Sequence, residues 1–210
     1  LPSRQSYPTV DTLYSNDVRD LTVDDLIDHA NTFLQQLKHP SVKINTDLSR
    51  LYVSESWTGI VNSNGVEGFQ KGNALQGNFF CVPREGTKVG SFISEIIFTR
   101  DPRSLDLVQT GQDIRKKAIR NLDVKTLSSI DSDIVIFSPE SITSPIGVVI
   151  AMAVAADQVQ QNRSMWKDRL VDQVAVEEFN FIDEPHNPES GMAAKVFDDE
   201  GTKTQDTHII

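Results

Sequence analysis

The stretch Leu51-Tyr52-Val53-Ser54-Glu55-Ser56-Trp57-Thr58-Gly59-Ile60-Val61-Asn62-Ser63-Asn64-Gly65 decides the fold class. Leu51-Tyr52-Val53 and Thr58-Gly59-Ile60-Val61 read as strands, and Asn62-Ser63-Asn64-Gly65 reads as a tight turn, because Asn and Gly tolerate positive φ. So short a turn sends the next strand back antiparallel to the last. Downstream, residues 75–82 and 88–99 are further strand-like stretches, the second alternating Phe92, Ile96 and Phe98 against Ile93 and Ile97. Pro83 and Gly86 fall between them as turn residues. Upstream, Val42, Ile44, Thr46 and Leu48 share one face of a strand, with Lys43, Asn45 and Asp47 on the other.

Helical periodicity brackets this run of strands. Thr22 is placed to cap a helix whose first turn holds Asp24 and Asp25, near the positive end of the helix dipole. Leu26, Ile27, Ala30, Phe33, Leu34 and Leu37 then form one apolar stripe, and Pro40 marks the stop. A second helix follows the break at Asp101-Pro102-Arg103-Ser104, with Leu107, Val108, Gly111, Ile114, Ala118 and Leu122 on its stripe. Asp133-Ile134-Val135-Ile136-Phe137 reads as a strand, and Ser138-Pro139-Glu140-Ser141 opens a third helix reaching about Gln161. Residues 174–182 read as a strand, Glu184-Pro185-His186-Asn187-Pro188 as a loop, and Phe197-Asp198-Asp199-Glu200-Gly201 as a strand end and turn. Strands in succession, rather than alternating with helices, give an α+β fold: an antiparallel sheet packed with long amphipathic helices. A polar link at residues 128–133 divides the chain into expected domains 1–130 and 131–210.

With 210 residues, 38% of them hydrophobic, the chain can bury a proper core. Its net charge of −10 opposes contact with nucleic acid or an acidic membrane surface. The one dense basic run, Arg115-Lys116-Lys117 with Arg120, sits where a helix end favours cations. Cys81 is the sole cysteine, so an intramolecular disulfide is impossible, in keeping with a reducing, cytoplasmic setting. The longest apolar run, residues 146–156, is far short of the roughly 20 residues a membrane span needs. Leu1 in place of a start Met, and an end on Ile209-Ile210 with no turn after them, lead us to expect a longer natural chain.

Candidate chemistry is sparse. His29, His39, His186 and His208 are isolated in sequence; Asp25 and His29, four apart on a helix, read as a surface pair rather than half a metal site. Gly65, Gly68, Gly72 and Gly77 are irregularly spaced and read as hairpin glycines rather than a phosphate loop. Asp198-Asp199-Glu200 lacks the spaced donors of a calcium loop, and Asp183 and Glu184 have no partner that can be placed. Trp57 and Trp166 are expected to pack, half-buried, against the core. The residues name no catalytic, cofactor-binding or metal-binding group.

An ordered string of motifs nevertheless resembles the TldD/PmbA family, whose members were once described as modulators of DNA gyrase and are metallopeptidase-related. It comprises Asn62-Ser63-x-Gly65, the helix bearing Gly111, Ala118 and Leu122, and Asp133-Ile134-Val135-Ile136-Phe137-Ser138-Pro139-Glu140. Arg163-Ser164, Ile182-Asp183-Glu184-Pro185 and Phe197-Asp198-Asp199-Glu200-Gly201 complete it. The resemblance implies the later part of an N-terminal α+β domain followed by the start of a β-rich C-terminal domain. TldD-like members carry a zinc-holding His-Glu-x-x-x-His helix, which PmbA-like (TldE-like) members lack. In register with the other motifs, that helix falls within residues 146–157, with Gly147 and Met152 at the His positions and Val148 at the Glu. None of these can hold zinc or act as a general base. The resemblance thus implies a metal-free, non-catalytic PmbA/TldE-like subunit with no cofactor, which pairs with a TldD-like partner and helps hold an extended peptide for proteolysis. A homodimeric peptide-binding or scaffold module without a peptidase role is the alternative.

Overall fold

The computed structural model describes residues 2–126, 134–187 and 194–210, which fall into two compact units, Leu1–Lys125 with Glu184–Asp206 and Thr126–Asp183 with Thr207–Ile210. The expected boundary at residues 128–133 lies outside the described residues.

The first unit opens with a 3-10 turn and the short α1 (Asn16–Arg19), then α2 (Val23–Gln36). At the start of α2, the Thr22 hydroxyl accepts from the Asp25 N–H while the Asp25 carboxylate accepts from the Thr22 N–H, the reciprocal capping the sequence allows. The Thr22 hydroxyl, which also donates to the Asp25 carboxylate at 2.6 Å, and then the Thr22 N–H hold the Asp25 carboxyl below the usual carboxylate range. Strands β1 (Lys43–Asn45), β2 (Arg50–Val61), β3 (Glu67–Glu85), β4 (Lys88–Val89) and β5 (Ile93–Thr99) follow, then α3 (Leu107–Asn121). All pairing in this sheet runs through β3, which is antiparallel to each of the other four strands. The fold is α+β, as expected.

Several details differ from the sequence reading: Gly68, Gly72 and Gly77, expected as hairpin glycines, lie within β3 and pair with β2. The two short strands around Trp57 are one strand, β2, paired without interruption from Arg50↔Asn78 to Val61↔Glu67. The strand expected from Val42 to Leu48 ends at Asn45, where Asn45 and Asp47 bond to each other and form a turn. Pro83 is a strand residue opposite Ile44, not a turn residue; its carbonyl still accepts, from the Gly90 N–H. The α2 stripe is also narrower than predicted: Phe33 and Leu37 are buried, but Ile27 and Leu34 remain exposed.

The 19-residue β3 buries opposite faces at its two ends. From Leu75 to Pro83 the odd-numbered residues are buried, and Phe79 and Cys81 pack with Phe33 and Leu37 of α2, Ile93, and Ile114 and Ala118 of α3. The rings of Phe33 and Phe79 stack with centroids 4.0 Å apart. Helices α2 and α3 approach so closely at Gly111 that a Cβ there would lie 2.6 Å from the Gln36 Cβ. In the other half of β3 the buried side is the even one, including Gly68, Gly72 and Ala74. Tyr7 and Phe197 lie against Gly68 with their rings 5.1 Å apart. The Gln70 side-chain amide donates to the Ala194 carbonyl (2.9 Å) and accepts from the Val196 N–H (2.8 Å), tying the later segment to this arm. The change of face falls at residues 72–75, four buried positions in succession.

The second unit holds α4 (Pro139–Ile142), one π turn (Thr143–Gly147), α5 (Val148–Val154) and α6 (Ala156–Gln160). Ser138 caps α4 by accepting from the Ser141 N–H. Pro145 has no N–H and would crowd the carbonyl four residues back in an α-helix; the π turn, closed by Val148 N–H to Thr143 O, widens the backbone around it. Extended backbone at Ala155 (ψ 126°) separates α5 from α6, so the expected third helix is present but broken. Of the strand expected at residues 133–137, Asp133 lies outside the described residues and 134–137 are irregular rather than extended into a described strand. Of the strand expected at 174–182 only its end is seen, as β6 (Ile182–Asp183) antiparallel to β7 (Thr207–His208). An apolar run makes a strand only where a neighbour accepts its ladder.

Candidate functional site

Helix α5 has the sequence Val-Val-Ile-Ala-Met-Ala-Val. Ile150 and Ala153 are buried; Val148 and Met152 face outward, 50% and 57% exposed. The three positions singled out by the resemblance, Gly147, Val148 and Met152, are therefore all helical, on the π turn and the first turns of α5. They offer no imidazole and no carboxylate, and a thioether is a poor zinc ligand. Beside α5 lies a cleft of about 700 Å³ bordered by Ala153, Val154, Trp166, Leu170, Val176 and Ile209. Its chain is positioned by Ser164, whose hydroxyl donates to the Ala153 carbonyl and accepts from the Trp166 N–H. Arg169 and Asp172 pair at 3.2 Å on its border. Such a cleft can receive apolar side chains; it presents no nucleophile–base pair.

The other sequence candidates do not converge. His29 Nδ1 donates to the Asp25 backbone carbonyl at 2.6 Å, while the Asp25 carboxylate is engaged by Thr22. His39 Nδ1 accepts from the Ser41 and Val42 N–H groups and shapes the turn after α2. His186 Nε2 contacts the Thr204 hydroxyl at 2.9 Å, and His208 lies on β7 opposite Ile182. Asp198 accepts from the Glu200 and Thr202 N–H groups, and Asp199 pairs with Lys195, so this acidic run is a solvated turn. Asp183 lies on β6, and Glu184 accepts from the Asn187 side chain. Three of the basic residues of α3 have partners within the fold: Arg115 the Lys38 carbonyl, Lys116 Asp113 and Lys117 Glu95. Among the described residues no group of three or more His, Cys, Asp or Glu side chains could hold a metal ion. No helix among them is long and apolar enough to cross a membrane.

Trp57, expected to pack, is 70% exposed and shares an outward sheet face with Phe69 and Val61. Sequence alone could not show this, because both faces of β2 carry apolar residues. Cys81 is fully buried, and burial pushes its thiol up to about 11, with only partial relief from Ser49. We expect the folded protein to resist thiol alkylation near pH 8, and the reaction to go to completion in denaturant, as followed by mass spectrometry. Rapid labelling of the native protein would contradict the burial.

Comparison with known proteins shows what the chain is similar to. Residues 132–210 match the PmbA/TldA metallopeptidase C-terminal domain. This segment is similar to the PmbA/TldD family. A search of the curated proteins finds no match. Among solved structures, a candidate modulator of a DNA gyrase from Thermotoga maritima superposes with TM-score 0.80 at 20% identity, over 100% of this chain and 48% of that one. A similar candidate modulator from Bacteroides thetaiotaomicron gives 0.77 at 21% identity, over 98% of this chain and 46% of that one. TldE from Thermococcus kodakarensis gives 0.69 at 18%, over 99% and 46%. The chain thus spans about half the length of the solved structures it matches, and shares their fold along nearly its whole extent.

Proposed function

We propose that the chain is part of a PmbA/TldE-like, non-catalytic subunit that joins a zinc-bearing TldD-like partner in peptide processing in the cytoplasm. The observation that supports this reading is α5: a wholly apolar helix in a metallopeptidase-related segment, at the position where the resemblance calls for zinc ligands. In this reading residues 1–130 and 131–210 correspond to the later N-terminal domain and the start of the C-terminal one. The peptide would be held extended, by strand addition along the edge of β2 that no other described strand pairs.

The test uses the purified chain, its zinc content measured after chelator treatment and gel filtration, and peptide hydrolysis measured with and without a TldD-like partner. The proposal expects substoichiometric zinc, co-elution with the partner, and hydrolysis by the pair roughly tenfold faster than by the partner alone, equivalent to about 1.4 kcal/mol in barrier. Stoichiometric zinc in the isolated chain, or hydrolysis by it alone, would overturn it. One observation favours the homodimeric module instead: Trp57, Phe69 and Val61 form an exposed apolar sheet face of the kind that interfaces cover. Light scattering that shows self-association, with no affinity for the partner, would select that reading.

A further inference from the structure

We propose that the outward face of the β2–β3 arm docks a second copy of this chain about a two-fold axis over the Gly59–Phe69 pair, with Lys71 of each copy against Glu67 of the other. Such a contact rests on the homodimeric reading, whose apolar face it uses, and adds its symmetry and its pairs. It concerns the first unit alone and does not depend on the zinc content of the second.

The ladder fixes what this face presents. Side chains alternate across a strand, so Trp57, Gly59 and Val61 of β2 share a side, and their opposite residues on β3, Lys71, Phe69 and Glu67, share it too. Trp57, Phe69 and Val61 are all exposed. The other side of the arm is covered: Gly68 lies against Tyr7 and Phe197, and Gly72 against the Leu13 carbonyl. A Cβ on Gly59 would meet only the Gly68 carbonyl, at 3.7 Å, so a notch lies between Trp57 and Val61. The Trp57 Nε1–H donates to Glu55 at 3.2 Å and fixes the indole. The Lys71 ammonium rests over the Tyr14 ring at 3.9 Å, and Glu67 forms no ion pair among the described residues.

Three successive cross-strand pairs thus read apolar with cation, notch with ring, apolar with anion. That order is complementary to itself. A two-fold axis over the middle pair, between the sheets and perpendicular to the strands, lays β2 over β2 and β3 over β3 in opposite directions. Trp57 then faces Val61 of the other copy, Lys71 faces Glu67, and the two Phe69 rings meet on the axis and lean into the facing Gly59 notches. Sheets packed face to face stand about 10 Å apart, a gap that a lysine and a glutamate bridge end to end. Moving the axis by half a pair sets Lys71 or Glu67 on Phe69; moving it by a whole pair sets Lys71 on Lys71 or Glu67 on Glu67. An axis along the strands instead lays Glu67 on Val61, with no cation to meet it. With its rim the contact buries on the order of 1,000 Å² in all, the low end of specific interfaces, so dissociation is expected in the micromolar range.

The experiment is sedimentation equilibrium of the whole chain across that range, with unfolding curves to confirm that each variant folds. The parent should form a dimer. Lys71→Glu and Glu67→Lys should each weaken it at least about tenfold, because like charges then meet across the axis. An equimolar mixture of the two single variants should dimerise again, since each reversed side chain meets its opposite on the other variant, and the chain carrying both reversals should recover the parent affinity. A parent that stays monomeric would overturn the proposal. So would binding of a TldD-like partner that Glu67→Lys weakens while no parent dimer forms, which would give the face to that partner. Self-association that neither reversal changes, or single variants that stay apart when mixed, would overturn this contact while leaving the homodimeric reading standing.

Discussion

Phe33→Ala is expected to lower the stability of the first unit by about 3–5 kcal/mol, the range for deleting a buried aromatic ring. Phe33 is 2% exposed and stacks on Phe79 at 4.0 Å, so its ring is the contact through which α2 meets the sheet. The same cluster contains Leu107, Ile114 and Ala118 of α3, and a cavity at Phe33 would therefore loosen both helices. The seam has little room to close over it. Gly111 already brings α3 within 3.0 Å of the Phe33 carbonyl, measured from a Cβ position, so the backbones cannot move nearer. The measurement is urea unfolding followed by Trp57 fluorescence in a Trp166→Phe background, which isolates the first unit. Phe69→Ala removes a ring of the same size that is 66% exposed, and should change stability by no more than about 0.5 kcal/mol. Equal losses in the two variants would show that the seam is not the stabilising core.

What the sequence disclosed and what it hid divide along a physical line. The Thr22 cap, the Asn62–Gly65 turn and the helix start at Ser138-Pro139-Glu140-Ser141 are written in residues close in sequence, and each forms as expected. The length of β3 was not legible. Gly68, Gly72, Gly77 and Pro83 look like turn residues, yet Gly68 is bare because Tyr7 and Phe197 press on it, and Gly77 because Ile97 does. Those partners lie far away in sequence. Trp57 misled for the converse reason: its chemistry favours burial, and only the change of buried face along β3 leaves it outside. At α5 the apolar composition was plain, but its meaning came from register with a family pattern, and the cleft beside it depends on residues 166–180. Those residues have no regular period and carry positive φ at Asp168 and Val171.

Asn73 marks the place where β3 changes its buried face, and its replacement tests how that change is held. It is 1% exposed, with Oδ1 accepting from the Ser15 N–H at 2.7 Å and Nδ2 donating to the Ser15 carbonyl at 2.8 Å. One side-chain amide thus does for Ser15 what a neighbouring strand would do, and fixes the segment that leads into α1. Asn73→Leu keeps the volume but removes both bonds to Ser15, whose carbonyl is left with the Arg19 N–H alone, at an expected cost of about 1–3 kcal/mol that does not vary with pH. Asn73→Asp retains the acceptor for the N–H but turns a second oxygen toward the Ser15 carbonyl. Burial beside that carbonyl raises the pKa of the new carboxyl above its unfolded value. A raised carboxyl contributes stability that is present while it is protonated and is lost as pH rises through the folded pKa. The Asp variant should therefore be damaged at neutral pH and approach the parent on acidification, as the protonated oxygen donates to Ser15, while the Leu variant shows no such recovery. Unfolding curves at several pH values decide it. Parallel pH profiles for the two variants would mean that the amide fills space and does not direct the chain, leaving the crossover of β3 to Gly72 and Ala74 alone.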